Sequence, residues 1–195
     1  NIELSWSFNQ GDAKALQGTV SEEGLFSYAT SSLGSDLEFL GTNKAGSLTV
    51  TKVQPKVKAS NNGDGNAISF SLKTKKGLSL SVKSFSFDAC KLGTNGGSID
   101  VVAEAGGKSY ELLKDESPQN AKNDPYFTHY KADLSQIPAT EGEWVIKVFV
   151  KNVAINKQYG FANFAIAATT EGKVEQVNSY SLSASLADAK AGSIK

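Results

Sequence analysis

Two stretches of this 195-residue chain hold the residue types that can grip a sugar. They are Asn123-Asp124-Pro125-Tyr126-Phe127-Thr128-His129-Tyr130 and Asn156-Lys157-Gln158-Tyr159-Gly160-Phe161-Ala162-Asn163. A sugar ring offers flat C–H faces and a belt of hydroxyls, so its site needs an aromatic platform beside amide or carboxylate groups. Tyr126, His129 and Tyr159 are the candidates for stacking or hydrogen bonding. Asn95, Asn156 and Gln158 are the candidates for reading hydroxyls. Rings in a strand alternate between two faces, so some of them must be core. Two other readings stay open: a structural or adhesion spacer whose aromatics are all buried, and a small lyase or hydrolase.

Other chemistries find little support. One histidine and one cysteine cannot assemble a zinc site from the usual nitrogen and sulfur ligands. The run Asn61-Asn62-Gly63-Asp64-Gly65-Asn66 is a turn by composition and also has oxygen groups of the kind a structural calcium would use, but it lacks the closing glutamate of a calcium loop. Carboxylate pairs such as Asp88 with Asp100, or Glu141 with Glu143, would serve a glycosidase only if both faced one cleft, and 20 acidic residues supply such pairs by chance. Leu92-Gly93-Thr94-Asn95-Gly96-Gly97 precedes a strand rather than a helix, which removes the usual phosphate cradle. No G-x-S-x-G elbow is present. Cys90, in the apolar run Phe85 to Cys90, reads as a small buried hydrophobe.

Charge narrows the partners further. All 20 basic residues are lysine and 20 acidic residues balance them, so the formal net charge is +0. A neutral chain without arginine has neither the long-range field nor the bidentate forks that nucleic acid recognition relies on. No run approaches the ~20 apolar residues of a membrane span.

The elements that would position these groups are strands. Ile68, Phe70 and Leu72 alternate with polar residues, as do Leu78, Leu80 and Val82; Phe85 and Phe87 then continue on the opposite parity. A pleated strand changes its buried face only through a bulge, which is expected at Lys83-Ser84. Ile99 to Ala103 and Tyr110 to Leu112 flank a Gly106-Gly107 hairpin turn. Strands are also expected over Tyr126 to Tyr130, over Glu143 to Val150 with Trp144, Ile146, Val148 and Val150 on one face, and over Phe161 to Ala168 with Ala162, Phe164 and Ile166 inward. Leu4 to Phe8, Leu25 to Tyr28 and Leu48 to Val50 complete the first third. Short helical turns fit only within 10–20 and at Ser135 to Pro138. The fold class expected is all-β: a jelly-roll sandwich of two antiparallel sheets, galactose-binding-domain-like.

Three segments together resemble a known family. Phe85-Ser86-Phe87-Asp88-Ala89-Cys90-Lys91-Leu92-Gly93-Thr94-Asn95-Gly96-Gly97-Ser98-Ile99-Asp100-Val101, Tyr130-Lys131-Ala132-Asp133-Leu134-Ser135 and the run from Asn156 to Asn163 are similar to β-sandwich modules of secreted Bacteroidetes polysaccharide-utilisation proteins, of the pectate-lyase-associated type. Members of that family often carry aspartate and arginine where this chain has Asn95 and Lys91. The resemblance covers roughly residues 65–168. It implies a non-catalytic carbohydrate-binding module with a polysaccharide or oligosaccharide as partner and no cofactor, in a secreted, periplasmic or outer-membrane-surface protein. Asn178 to Ala184 and Ala191 to Lys195 resemble the opening of an internalin-type B repeat. The expected organisation is a sandwich over 1–170, then a linker over 171–195 with a strand from Tyr180 to Leu186, either an edge strand or the first strand of a fused downstream domain.

Overall fold

The structure, a computed structural model, describes residues 1–176. The strand expected from Tyr180 to Leu186 lies outside the described residues. Twelve strands are described: β1 (Ile2–Trp6), β2 (Thr19–Val20), β3 (Phe26–Leu33), β4 (Leu37–Ala45), β5 (Leu48–Pro55), β6 (Ala67–Thr74), β7 (Leu78–Leu92), β8 (Ser98–Ala105), β9 (Lys108–Glu116), β10 (Thr128–Asp133), β11 (Trp144–Lys151) and β12 (Gln158–Gly172). The helical content among the described residues is three single 3-10 turns, Ala13–Leu16, Glu23–Leu25 and Asp64–Asn66. β12 continues two residues past the boundary expected at 170.

The strands form two antiparallel sheets. The first runs β10-β7-β12-β1-β2 and also holds β5, which pairs with β12, and β4, which pairs with β5. The second runs β3-β6-β11-β8-β9. Alternation decides what lies between them. Trp6, Phe85, Phe87, Phe161 and Phe164 face inward from the first sheet, Phe70, Trp144, Ile146 and Val101 from the second, and all are fully buried. Phe70 is the centre of this layer, with ring centroids 4.8 Å from both Trp6 and Phe164.

Two bulges shape the first sheet. Register slips between Ala167↔Ser84 and Ala168↔Val82, so Lys83 is the extra residue on β7, where the parity change placed it. The second bulge was not expected. Ala162 pairs with Asp88 and Ala165 with Ser86, leaving one residue too many on β12 at Asn163, whose φ is 55°. β12 changes partner there as well: Tyr159–Phe161 pair with β5, whereas Phe164–Ala168 pair with β1. Thr51 bridges the fork, its hydroxyl donating to the Phe8 carbonyl at 2.7 Å and accepting from the Gly11 N–H at 3.1 Å.

The 61–66 run serves as turn chemistry. Asn66 donates to the Val150 carbonyl, Asn62 donates to the Asp100 carboxylate, and Asp64 pairs with Lys147. Of the carboxylate pairs, Asp88 and Asp100 lie on different sheets and share no cleft.

A partly buried ion cluster, with Lys151 and Asp100 buried and Asp115 exposed, ties that run to the second sheet. Lys151 Nζ lies 2.9 Å from Asp100 and 2.8 Å from Asp115. Burial pushes the Asp100 carboxyl up, but hydrogen bonds from Lys151, the Asp115 N–H and Asn62 together hold it below the ordinary carboxylate range. A depressed folded-state pKa contributes stability above the unfolded value of ~3.9 and loses it as pH falls through the folded value. Lys151→Met therefore leaves Asp100 buried without its cation and costs about 3 kcal/mol in urea unfolding at neutral pH. The deficit shrinks at acid pH, where protonated Asp100 needs no partner; a pH-independent deficit contradicts this account.

Candidate functional site

The outer face of the first sheet has a covered half and an open half. On the covered half, Ala45, Val50, Cys90 and Ala162 form a small apolar cluster, with Leu48, Ala121 and Phe127 packed over it. Ala162 thus faces away from the main core, against the inward orientation expected, because the bulge at Asn163 resets parity. Cys90 is a buried hydrophobe as expected, and burial pushes its thiol up to about 11.

The open half begins one row further along. Register places Lys131, Ser86, Ala165 and Ser5 side by side across four strands, and Asp133, Ser84, Ala167 and Glu3 in the next row. Three gaps at ~4.8 Å make a strip about 14 Å wide with a floor of serine and alanine. At its β10 end, Lys83, Ser84, Lys131, Asp133 and Ser135 line a cleft of about 470 Å³. Asp133 is fixed there as an acceptor: the side chain and then the backbone N–H of Ser135 donate to it and lower its pKa.

The junction between the two halves is a three-residue network. Asp88, on β7, is 7% exposed. Its Oδ1 lies 2.7 Å from His129 Nδ1 on β10, and its Oδ2 accepts from Asn163 Nδ2 on β12 at 2.9 Å. The His129 side chain is 58% exposed. Asn163 is also exposed, in the left-handed conformation that asparagine tolerates better than most residues, with its N–H bonded to the Ser7 carbonyl. Two solvent-facing groups are thereby held rigid by one buried carboxylate. Tyr126 lies against the β4–β5 turn, on the covered side: a Cβ on Gly46 would meet its ring at 2.7 Å, and the residue remains 38% exposed. It precedes β10 at φ 76° rather than opening a strand there, because β10 begins only at Thr128.

The six sequence candidates separate. His129 and Tyr126 are exposed on this face. Tyr159 is not a ligand contact; it is 0% exposed, in the main core against Phe161. Asn95 is spent internally, donating to the Gln158 carbonyl and accepting from the Gly97 N–H, so it braces the 93–97 turn and is 8% exposed. Gln158 donates to Gln54. Asn156 is exposed in the turn before β12. Gln158 pairs with Leu92, four residues along β7 from Asp88, or about 13 Å, so the amide group and His129 do not converge.

Asp88 and Asn163 were not singled out as ligand groups from the sequence. The cue was present in the Asn163 of the second aromatic stretch, but the contact needs the β10–β7–β12 register. A further exposed ring, Tyr28, lies on the outer face of the second sheet, where its hydroxyl donates to Glu143. Lys147, on the same face, is engaged by Glu104 and Asp64. Polar groups there satisfy one another, whereas His129 Nε2 and Asn163 Oδ1 have no partner among the described residues.

No family model matches the sequence, and no curated protein matches it. Among solved structures, the chain is similar to a family 61 carbohydrate-binding module in complex with β-1,4-galactotriose, at 14% identity and TM-score 0.41, over 76% of this chain and 93% of that one. A family 22 xylan-binding domain from Paenibacillus barcinonensis aligns at 10% identity and TM-score 0.43, over 89% and 94%. A family 27 module of Caldicellulosiruptor saccharolyticus in complex with mannohexaose aligns at 10% and 0.39, over 82% and 90%.

The buried Tyr159 hydroxyl has no hydrogen-bond partner among the described residues, and burial raises its pKa. An unsatisfied buried hydroxyl costs about 1–3 kcal/mol. Tyr159→Phe is therefore expected to match or exceed wild-type stability by about 1 kcal/mol in urea unfolding; a clear loss contradicts the placement of this hydroxyl.

Proposed function

We propose that this chain is a non-catalytic carbohydrate-binding module whose ligand lies on the open half of the first sheet. The observation that carries the proposal is the pair of solvent-facing hydrogen-bonding groups, His129 and Asn163, locked by Asp88 beside a flat floor of Ser86, Ala165 and Ser5. Small floor residues let a sugar ring approach the sheet, and fixed polar groups meet its hydroxyls without losing rotamer freedom. Balanced charge and the absence of arginine favour a glycan over nucleic acid. Among the described residues, no helix is long and apolar enough to cross a membrane.

Binding without chemistry fits the carboxylates on this face. Both oxygens of Asp88 are occupied, and Asp133 is held by Ser135. A spacer role would leave no reason to fix two exposed side chains with a buried charge. Each hydrogen bond exchanged with water nets only ~0.5–1.5 kcal/mol, so a few of them place a single site in roughly the millimolar to micromolar range. Such a module acts by holding a covalently attached partner near polysaccharide, where effective concentration compensates for weak affinity. This reading carries an extracellular setting with it.

Affinity electrophoresis through gels containing soluble galactan, xylan, mannan, β-glucan or polygalacturonate tests the proposal. Retardation by at least one of them is expected. Ala165→Lys, which raises the floor without entering the core, is expected to weaken retardation at least tenfold with an unchanged melting temperature. Unretarded migration in every gel sinks the proposal.

A further inference from the structure

We infer that Asp88 sets the outward hydrogen-bonding character of the site, so that it receives a pair of donors: two neighbouring hydroxyls of a neutral sugar. The inference rests on the glycan reading and goes beyond it by naming the ligand chemistry.

A carboxylate only accepts hydrogen bonds. Both oxygens of Asp88 are engaged, so both partners must present N–H to it. In its neutral form, His129 therefore carries its proton on Nδ1, which leaves the Nε2 lone pair directed away from Asp88 on a largely exposed ring. Asn163 likewise turns its amide nitrogen toward Asp88 and leaves Oδ1 outward. Two acceptors result, each one side chain away from the same carboxylate. Asp88 is buried, and releasing either N–H would strand a desolvated charge, so the arrangement is enforced rather than sampled.

Two acceptors backed by a negative charge repel carboxylates and sulfates and attract O–H groups. Adjacent sugar hydroxyls fit them, donating to Nε2 and Oδ1. The Ser86 hydroxyl and the Lys131 ammonium, one row away, are within the same face to meet hydroxyl oxygens. Other charges on this face include Asp133, Glu3 and Glu171, Lys52 on the covered half, and Lys83 at the bulge. Lys131 is the cation nearest in register to the pair, and Asp133 follows it on β10, so this part of the strip has no surplus positive charge for an acidic polysaccharide.

The chain contains one histidine, so imidazole ¹⁵N resonances need no assignment by mutation. At about pH 8, above the ordinary imidazole range, wild type is expected to show the Nδ1–H tautomer. Asp88→Asn can donate to Nδ1 and is expected to shift the population toward Nε2–H. Asn163→Gly, which keeps the left-handed backbone, serves as a second variant: it removes the outward oxygen while the Nδ1–H tautomer persists. Titration with galactan, xylan or mannan oligosaccharides should move the Nε2 resonance of wild type, and either variant should weaken that binding about tenfold. Oligogalacturonate should not compete.

A dominant Nε2–H tautomer in wild type overturns the inference, as does oligogalacturonate binding at least as tightly as the neutral sugars. Neutral glycan binding with an unmoved Nε2 overturns it while leaving the glycan reading standing. No binding by any oligosaccharide overturns the glycan reading and the ligand named here together.

Discussion

A single edge of β12 serves two partners. Its other edge pairs with β7 almost throughout, but on this one β5 occupies Tyr159–Phe161 and β1 occupies Phe164–Ala168. Two strands cannot hydrogen-bond to the same edge without diverging, and the divergence is taken up at Ala162-Asn163. On the β1 side the chain turns at Phe8, φ 55°, and Thr51 satisfies the carbonyl and N–H groups that the fork leaves without a ladder. The extra residue on β12 puts Ala162 and Asn163 on the outer side in succession. In an unbulged strand, Asn163 would point into the Phe70–Phe164 layer, where its amide would lack partners.

From that bulge follows the chemistry of the face. Asn163 is brought beside Asp88, which the β10–β7 register has already set opposite His129. Asp88 can be buried only because two N–H groups meet its two oxygens; with either one absent, a desolvated carboxylate would draw in water and the exposed partner would regain its rotamers. The apolar cluster around Cys90 and Ala162 closes the other side of the same row. One topological event thus separates a sealed half of the sheet from an open one and places the most ordered polar groups at the border.

Much of the scaffold was legible in the residues because period-two alternation depends on local sequence alone. Ile68 to Leu72, Ile99 to Ala103 and Trp144 to Val150 are buried as their spacing implied, and the parity change after Val82 located the Lys83 bulge. β4 was not seen, since Gly41-Thr42-Asn43-Lys44 has the composition of a turn, yet Thr42 to Lys44 pair with β5. The second bulge was invisible for a related reason: Ala162, Phe164 and Ile166 read as one face, and alanine fits a core and an outer cluster equally well. Site residues were legible only in part. Tyr159 and Tyr126 are the same residue type in similar company, and their opposite burial is decided by strand boundaries and parity. Asp88 was one carboxylate among many until register joined β10, β7 and β12.

Placement on strands also bears on how such a site binds. His129 and Asp88 sit on paired strands within a sheet whose far side is close-packed aromatic core, so little ordering remains to be done when a ligand arrives. Rigidity lowers the entropic cost but does not change the exchange of water for protein partners that limits every sugar hydroxyl. A site of this construction gains selectivity through the direction of its hydrogen bonds more than it gains affinity. A rigid pair of acceptors discriminates donors from anions by the sign of the interaction, and that discrimination survives even where total binding energy is small. On the proposed reading, weak but direction-selective contact suits a tethering module, since a partner attached to it could then move along a polymer rather than stay fixed to one point on it.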